Sequence, residues 1–153
     1  MKPDPTRLDA ALYPYTIEIT TRFGDMDINR HLNNVAYARY FEEARVTFNS
    51  DGLLTDRGHR LPALKHHRVM VASVAISYLR EGHYGPPVSI GIGVSHIGNA
   101  SFSMAASAFQ NGVCLATHEA TIVVKGEDGS GIPAEIRPLL AAQGSQPVAR
   151  VAI

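Results

Sequence analysis

The stretch from Arg22 to Phe48, RFGDMDINRHLNNVAYARYFEEARVTF, constrains this chain more than any other. Just before and into it, Thr16 to Phe23 alternates apolar and polar residues and reads as a strand. Gly24 to Asn33 is polar, with Gly, two Asp and two Asn, and reads as a loop. From Asn34 onward, Tyr37, Phe41, Ala44 and Phe48 recur at steps of four, three and four. That is one face of a helix, with Arg39, Glu42, Glu43 and Arg45 mostly off it. The helix must bury this stripe, so the rest of the chain has to supply an apolar surface for it.

A carboxylate-bearing loop that feeds a buried helix has chemical content. The first turn of a helix leaves backbone N–H groups without intrahelical partners, and the helix dipole places partial positive charge there. Such an end can hold a carbonyl oxygen and stabilise the negative charge it gains under attack. The backbone N–H groups of Asn34 and Val35 are the candidates for that contact. Asp27 lies a few residues upstream, where it can act on the same carbonyl carbon. Asn33 or Asn34 can cap the helix, although no Glu or Gln follows to complete a capping box. Read alone, Asp27 is more often a turn carboxylate than a catalytic one.

The same stretch resembles the acyl-CoA thioesterases of the hotdog fold, in the 4-hydroxybenzoyl-CoA thioesterase-like branch. The resemblance lies in Phe23-Gly24-Asp25-Met26-Asp27, in His31-Leu32-Asn33-Asn34, in Tyr37, and in Tyr40-Phe41-Glu42-Glu43-Ala44-Arg45. The family pattern is an aromatic–x–Asp–x–Asp loop, a Gly-His-(Val)-Asn-Asn turn and a helix ending in Phe-Glu-x-Ala-Arg. The family's catalytic carboxylate, the second Asp of the loop, falls on Asp27. One departure is Arg30, which stands where Gly commonly precedes the His. The implied fold is α+β: an antiparallel sheet of about five strands wrapped around one long central helix. The resemblance also implies at least a homodimer, commonly a dimer of dimers, with active sites between subunits. It places Ser101 where relatives often carry a Ser near the thioester; an ordinary strand Ser is the competing reading.

Whole-chain properties narrow the class. With 153 residues the chain reads as a single domain, its core spanning about residues 15–140. Lys+Arg and Asp+Glu are both 14, which argues against nucleic acid or an anionic membrane surface as partner. Met1 to Ala10 lacks the apolar core of a signal peptide, and no apolar run reaches the length of a membrane span. Cys114 is alone, so an internal disulfide is excluded and a reducing compartment is indicated. These features lead us to expect a cytoplasmic protein.

Along the chain, Met1 to Tyr15 holds three prolines and reads as an extended lead-in. Asp51-Gly52 begins the helix exit, unless Leu53 and Leu54 extend it, and Thr55 to His67 reads as a loop. Four strand-like runs follow: Val69 to Arg80, Val88 to Ile97, Ala100 to Gln110 and Val113 to Lys125. Glu81 to Pro87, Gly98-Asn99 and Asn111-Gly112 separate them as turns, so the expectation is a four-strand antiparallel meander. In the first run Met70, Ala72, Val74, Ile76 and Tyr78 share a face. The second run sets Val88, Ile90, Ile92 and Val94 against Ser89, Gly91, Gly93 and Ser95. That small-residue face leaves room for another backbone or a ligand. A short helix from Ala134 to Ala142 and a loosely held tail close the chain.

Other chemistries fail on spacing. His118-Glu119 has no second His at Ile122, so the zinc-protease motif is absent. His66 and His67 would point apart on a strand, and no GxSxG elbow occurs. No metal and no redox cofactor is expected; coenzyme A enters only as part of an acyl-CoA substrate. His31 is either catalytic or a turn-shaping loop histidine, and Asn33 either a cap or a group that orients water. Tyr37 and Phe41 read as core first and acyl-pocket lining second. Arg60 and Arg80 are the candidate basic contacts for the CoA nucleotide. The reading is an acyl-CoA thioesterase; a hotdog module that binds acyl ligands without turnover is the alternative. A hotdog dehydratase fits less well, because Glu42 and Glu43 sit deep in the helix.

Overall fold

The computed structural model describes residues 2–144, and the expected loose tail beyond Gly144 lies outside them. In chain order the elements are β1 (Tyr15–Ile19), α1 (Asn34–Phe48), β2 (Thr55–Asp56), β3 (His59–Arg60), β4 (His67–Tyr78), β5 (Val88–Ile97), β6 (Ser101–Gln110), β7 (Val113–Gly126) and α2 (Arg137–Ala142). β1, β5, β6, β7 and β4, in that order, form one five-stranded sheet, antiparallel throughout. β2 and β3 form a separate small hairpin.

The helical stripe behaves as its spacing requires. Tyr37, Phe41, Ala44 and Phe48 are all buried, joined by Ala36 and Tyr40. They meet Ile90, Ile92, Val94, Phe102, Met104, Ile122 and Val124 from one face of the sheet in a single core. Full burial of a side chain as large as Phe41 contributes roughly 1.5–3 kcal/mol. Past Phe48 the helix widens into a π-type turn, Asn49–Leu53, and Leu53 and Leu54 are buried with the rest.

Several expectations are corrected. β1 stops at Ile19 rather than Phe23. The Asp25 carboxylate accepts the Arg22 N–H at 2.9 Å and pulls the chain into a tight turn there. The lead-in is not extended: the Asp4 and Asp9 side chains accept from Thr6 N–H and Ala11 N–H and set two 3-10 turns. The stretch read as a loop contains the β2–β3 hairpin, closed by Arg57 (φ 50°) and Gly58 (φ 80°). Arg is a poor advertisement for a left-handed turn position, so the sequence signal is weak. α2 is three residues shorter than Ala134–Ala142 suggested, beginning at Arg137, with Pro138 in its first turn.

The largest correction concerns topology. β5, β6 and β7 form a meander through the Gly98 and Asn111-Gly112 turns, but β4 pairs with β7, not with β5. Residues 79–87 therefore cross the whole end of the sheet. Leu79 and Arg80 donate to the Leu115 carbonyl, at 2.8 and 3.1 Å. Buried Gln110 donates to the carbonyls of His83 (2.7 Å) and Pro86 (2.9 Å) and accepts from His83 N–H (3.0 Å). Gly85 N–H reaches the Thr21 hydroxyl at 3.0 Å. A Gly/Pro-rich stretch shows where a chain leaves a sheet, not where it returns.

β4 also changes phase. Val71 pairs with Ile122 and Val74 with Ala120, so Ala72 is an extra residue in a bulge. Val69, Val71, Val74, Ile76 and Tyr78 face the helix, while Met70 turns to the other side. β4 is an edge strand, and Val74 and Tyr78 remain 48% and 47% exposed. On the outer face, the small residues of β5 and β6 receive the chain's own N-terminal segment. Tyr13 lies so close over Gly91 that a Cβ there would be 2.6 Å from its ring. Its hydroxyl is 2.6 Å from that of Ser107.

One polar ring stands in the core. His118 is 3% exposed and stacks on Phe41 with centroids 4.7 Å apart. Burial, aided by the charge of Arg45, pulls its pKa down from 6.5 to about 4. The unfolded chain binds this proton near pH 6.5, so between pH 6.5 and 4 it holds more protons than the folded one. Stability therefore falls as pH drops through that window, by about 3 kcal/mol from this group. Urea unfolding from pH 7 to pH 4 should show that share of the slope in the wild type and lose it in His118→Leu.

Candidate active site

The loop between β1 and α1 is fixed from within. Asp25 is 6% exposed, and its Oδ2 accepts from Arg22 N–H and, at 2.6 Å, from the Tyr40 hydroxyl. Its backbone carbonyl accepts the Asn33 N–H at 2.9 Å. Asn33 is the cap of α1: its Oδ1 accepts the Ala36 N–H at 2.8 Å. Ala36 is thereby satisfied. The N–H groups of Asn34 and Val35 have no hydrogen-bond partner among the described residues, and both residues are exposed.

Asp27 opens a tight turn. Its Oδ1 accepts from the N–H groups of Asn29 (2.8 Å) and His31 (3.1 Å), and its own N–H donates to the His31 carbonyl (2.8 Å). Oδ2 makes no hydrogen bond among the described residues, so one carboxylate oxygen holds the loop and the other is free. Asp27 lines an open cavity of about 380 Å³ together with His31, Asn34, Tyr37, Tyr78 and Arg80. A carboxylate oxygen, a helix N-terminus with open donors and two aromatic side chains thus share one space.

Sequence reasoning missed the part supplied by the crossover. Glu81 Oε2 lies 3.2 Å from His31 Nε2, and the His83 ring meets the His31 ring edge-on at 5.1 Å. The Gly82 carbonyl accepts the Leu32 N–H at 2.8 Å. A Cβ on Gly82 would come within 3 Å of the Tyr37 hydroxyl, Leu32 and Leu115. The one available signal was a glycine in a charged run, which marks close backbone approach without naming the neighbour.

The profile of the thioesterase-like superfamily matches residues 21–144. The chain belongs to the thioesterase-like superfamily. Among solved structures it is similar to a predicted thioesterase from Bacillus stearothermophilus, at 27% identity over 87% of this chain and 98% of that one, TM-score 0.73. A thioesterase-superfamily structure from Jannaschia sp. CCS1 is 28% identical over 93% of this chain and 87% of that one, TM-score 0.72. A thioesterase from Thermus thermophilus, solved with coenzyme A and Zn, is 25% identical over 86% and 95%, TM-score 0.72. No curated protein matches the sequence significantly. These neighbours and the five-stranded sheet with its long helix establish the hotdog fold.

Within this thioesterase-like domain, not every residue singled out by sequence reaches the cavity. Phe41 is fully buried against His118 and belongs to the core. Ser101 pairs with Val123, whereas Tyr78 at the cavity pairs with Ala116, seven residues away along β7. That is roughly 23 Å of strand. Arg60 sits at the same far end, its Nη1 donating to the His67 carbonyl at 2.8 Å. A larger cavity, about 560 Å³, lies across the loop beside Glu18, Arg22, Arg39 and Glu43. Its two Arg side chains face Glu18, Glu43 and Asp25, and Asp27 does not line it, so the smaller cavity is the candidate site. Among the described residues no group of three His, Cys, Asp or Glu side chains is arranged to hold a metal, and no helix is long and apolar enough to cross a membrane.

Arg30, the departure from the family pattern, has φ 63°. The turn keeps the left-handed backbone that Gly would adopt, at a penalty of roughly 1–2 kcal/mol for a side-chain-bearing residue. Arg30→Gly should raise stability by up to about 1 kcal/mol in urea unfolding once the extra freedom of the unfolded chain is subtracted. An unchanged or lower midpoint would mean that the Arg30 side chain compensates for its backbone.

Proposed function

We propose that this thioesterase-like protein hydrolyses acyl-CoA thioesters to the free acid and CoA. The observation that carries the reading is the shared cavity of Asp27 and the open first turn of α1. The thioester carbonyl oxygen sits on the Asn34 and Val35 N–H groups, which stabilise the developing oxyanion. Asp27 acts through Oδ2, the oxygen outside the turn. It either attacks the carbonyl carbon, expelling the thiolate and leaving a mixed anhydride that water opens, or it takes a proton from attacking water. The thiolate leaves as a stable anion, so no metal or other cofactor is invoked. His31, held beside Glu81, and Tyr37 line the acyl and pantetheine space. Arg80 at the rim faces the CoA phosphates.

Asp27→Asn is a clean test, because the amide Oδ1 still accepts from Asn29 and His31 and the turn survives. Thiol release from a panel of acyl-CoAs should fall by roughly 10²–10⁴-fold with the fold intact. A folded variant that retains wild-type turnover rejects the assignment. Saturable acyl-CoA binding by the wild type without thiol release would instead favour the non-catalytic module.

The working unit in this proposal is at least a dimer built along β4. Its exposed apolar side chains and unpaired edge are the support for it. Antiparallel pairing of two β4 strands sets the His67 end of one copy beside the Tyr78 end of the other. Arg60 travels with His67 and so reaches the neighbouring copy's cavity, where it has a role for the CoA nucleotide. Ser101 stays two strands further in, where the proposal gives it no contact. Val74→Lys should shift the sedimentation coefficient to that of a monomer and lower turnover with it. A monomeric wild type with full activity would remove the shared site. With no membrane or nucleic-acid partner invoked, the proposed setting is the cytoplasm.

A further inference from the structure

Neither ring nitrogen of His118 has a hydrogen-bond partner among the described residues, although the ring is almost wholly buried. A buried polar group left unpaired is penalised, and native cores seldom keep one without a reason. Its position supplies the reason. Tyr78 pairs with Ala116, and the next step inward along the same strands pairs Ile76 with His118. Above these two layers lie Tyr37 and Phe41, one helical turn apart: Tyr37 packs on Tyr78 at 5.6 Å and Phe41 on His118 at 4.7 Å. Tyr37 and Tyr78 line the Asp27 cavity. His118 is therefore one layer, roughly 7 Å, beyond the aromatic pair. Its cross-strand neighbours are Ala106 on β6 and the partly buried Ile76 on β4, and Ala116 and Ala120 flank it on its own strand. On the open side is edge strand β4, where Tyr78 and Val74 are about half exposed.

We propose that His118 is a specificity-determining residue, and that the acyl group this protein takes carries a hydroxyl or oxo oxygen which meets its ring. This rests on the acyl-CoA reading and sharpens it. His118 does not itself line the cavity, so a chain whose carbonyl lies at Asp27 reaches it by parting the packed rings of Tyr37 and Tyr78. A neutral imidazole offers one donor and one acceptor. A hydroxyl satisfies either, and a carbonyl oxygen satisfies the donor. An unsubstituted chain leaves both nitrogens bare and forfeits that contact. Phe41, stacked on the His118 ring, keeps the imidazole plane fixed.

The test uses acyl-CoAs of one chain length, bearing a hydroxyl or an oxo group at successive carbons, against the unsubstituted parent. In the wild type, kcat/KM for the best oxygenated chain should exceed the parent's by at least about tenfold. His118→Leu should bring that ratio to near one and raise the unfolding midpoint, since it removes an unpaired polar group. His118→Gln, which restores a donor and an acceptor, should recover part of the preference. No preference in the wild type, a preference that survives in His118→Leu, or a His118→Leu variant less stable than the wild type would each overturn the inference. If thiol release is absent for every acyl-CoA, the hydrolase reading fails by itself, and the same ratio taken from dissociation constants decides the role of His118.

Discussion

A single buried carboxylate ties the functional loop to the helix it feeds. The Asp25 carboxylate accepts from the backbone just past β1 and from the hydroxyl of Tyr40 in the second turn of α1, and its backbone carbonyl accepts the N–H of the capping residue Asn33. Hydrogen bonds to a charged group are worth roughly 1.5–3 kcal/mol each, more than neutral ones. Burial and this contact push the Tyr40 hydroxyl well above its ordinary pKa, so it stays a donor at any physiological pH. Two residues later Asp27 does lighter structural duty, spending one oxygen on its own turn. The pair divides labour by environment: one carboxylate is buried and joins the loop to the helix through Oδ2, the other is exposed with one oxygen outside its turn.

The crossover gives the loop its second wall. Residues 79–87 are held at one end by Leu115, in the middle by Gln110 and at the far end by Thr21. Glu81, Gly82 and His83 are thereby presented to His31, Leu32 and Tyr37. The site is thus assembled from a local element, the loop and helix, and a remote one that depends on the order of strands in the sheet. Losing the order β7-β4 at the edge would detach the second wall without touching the first.

What was legible in the sequence follows this division. The helical stripe, the alternating runs of β5 to β7 and the Asn111-Gly112 turn are local patterns, and each was placed to within a residue or two. The helix end of the loop was too, because capping chemistry acts over three or four residues, but its start was read at Gly24 although β1 ends at Ile19. The crossover was not legible, because Glu81 to Pro87 reads as a turn whatever distance it spans. The Ala72 bulge was not, because one inserted residue leaves composition unchanged while reversing every side chain beyond it. Glu81 and His83 carried no motif; only the pairing of β4 with β7 brings them to His31. Arg57 and Arg30 hid two left-handed positions behind a residue type that seldom occupies them.

The same Ala72 bulge has a bearing on what the bare flank of the sheet will accept. A straight, flat, apolar edge is a template for any extended polypeptide, and such templates nucleate aggregates. β4 runs from His67 to Tyr78, so its irregularity falls near the midpoint. A foreign strand that zips along one half meets a bent and more twisted backbone at the other. Another β4 laid head to tail brings its own kink to the same place. Such a defect discourages promiscuous growth along the edge, whereas a second β4 would present a matching irregularity.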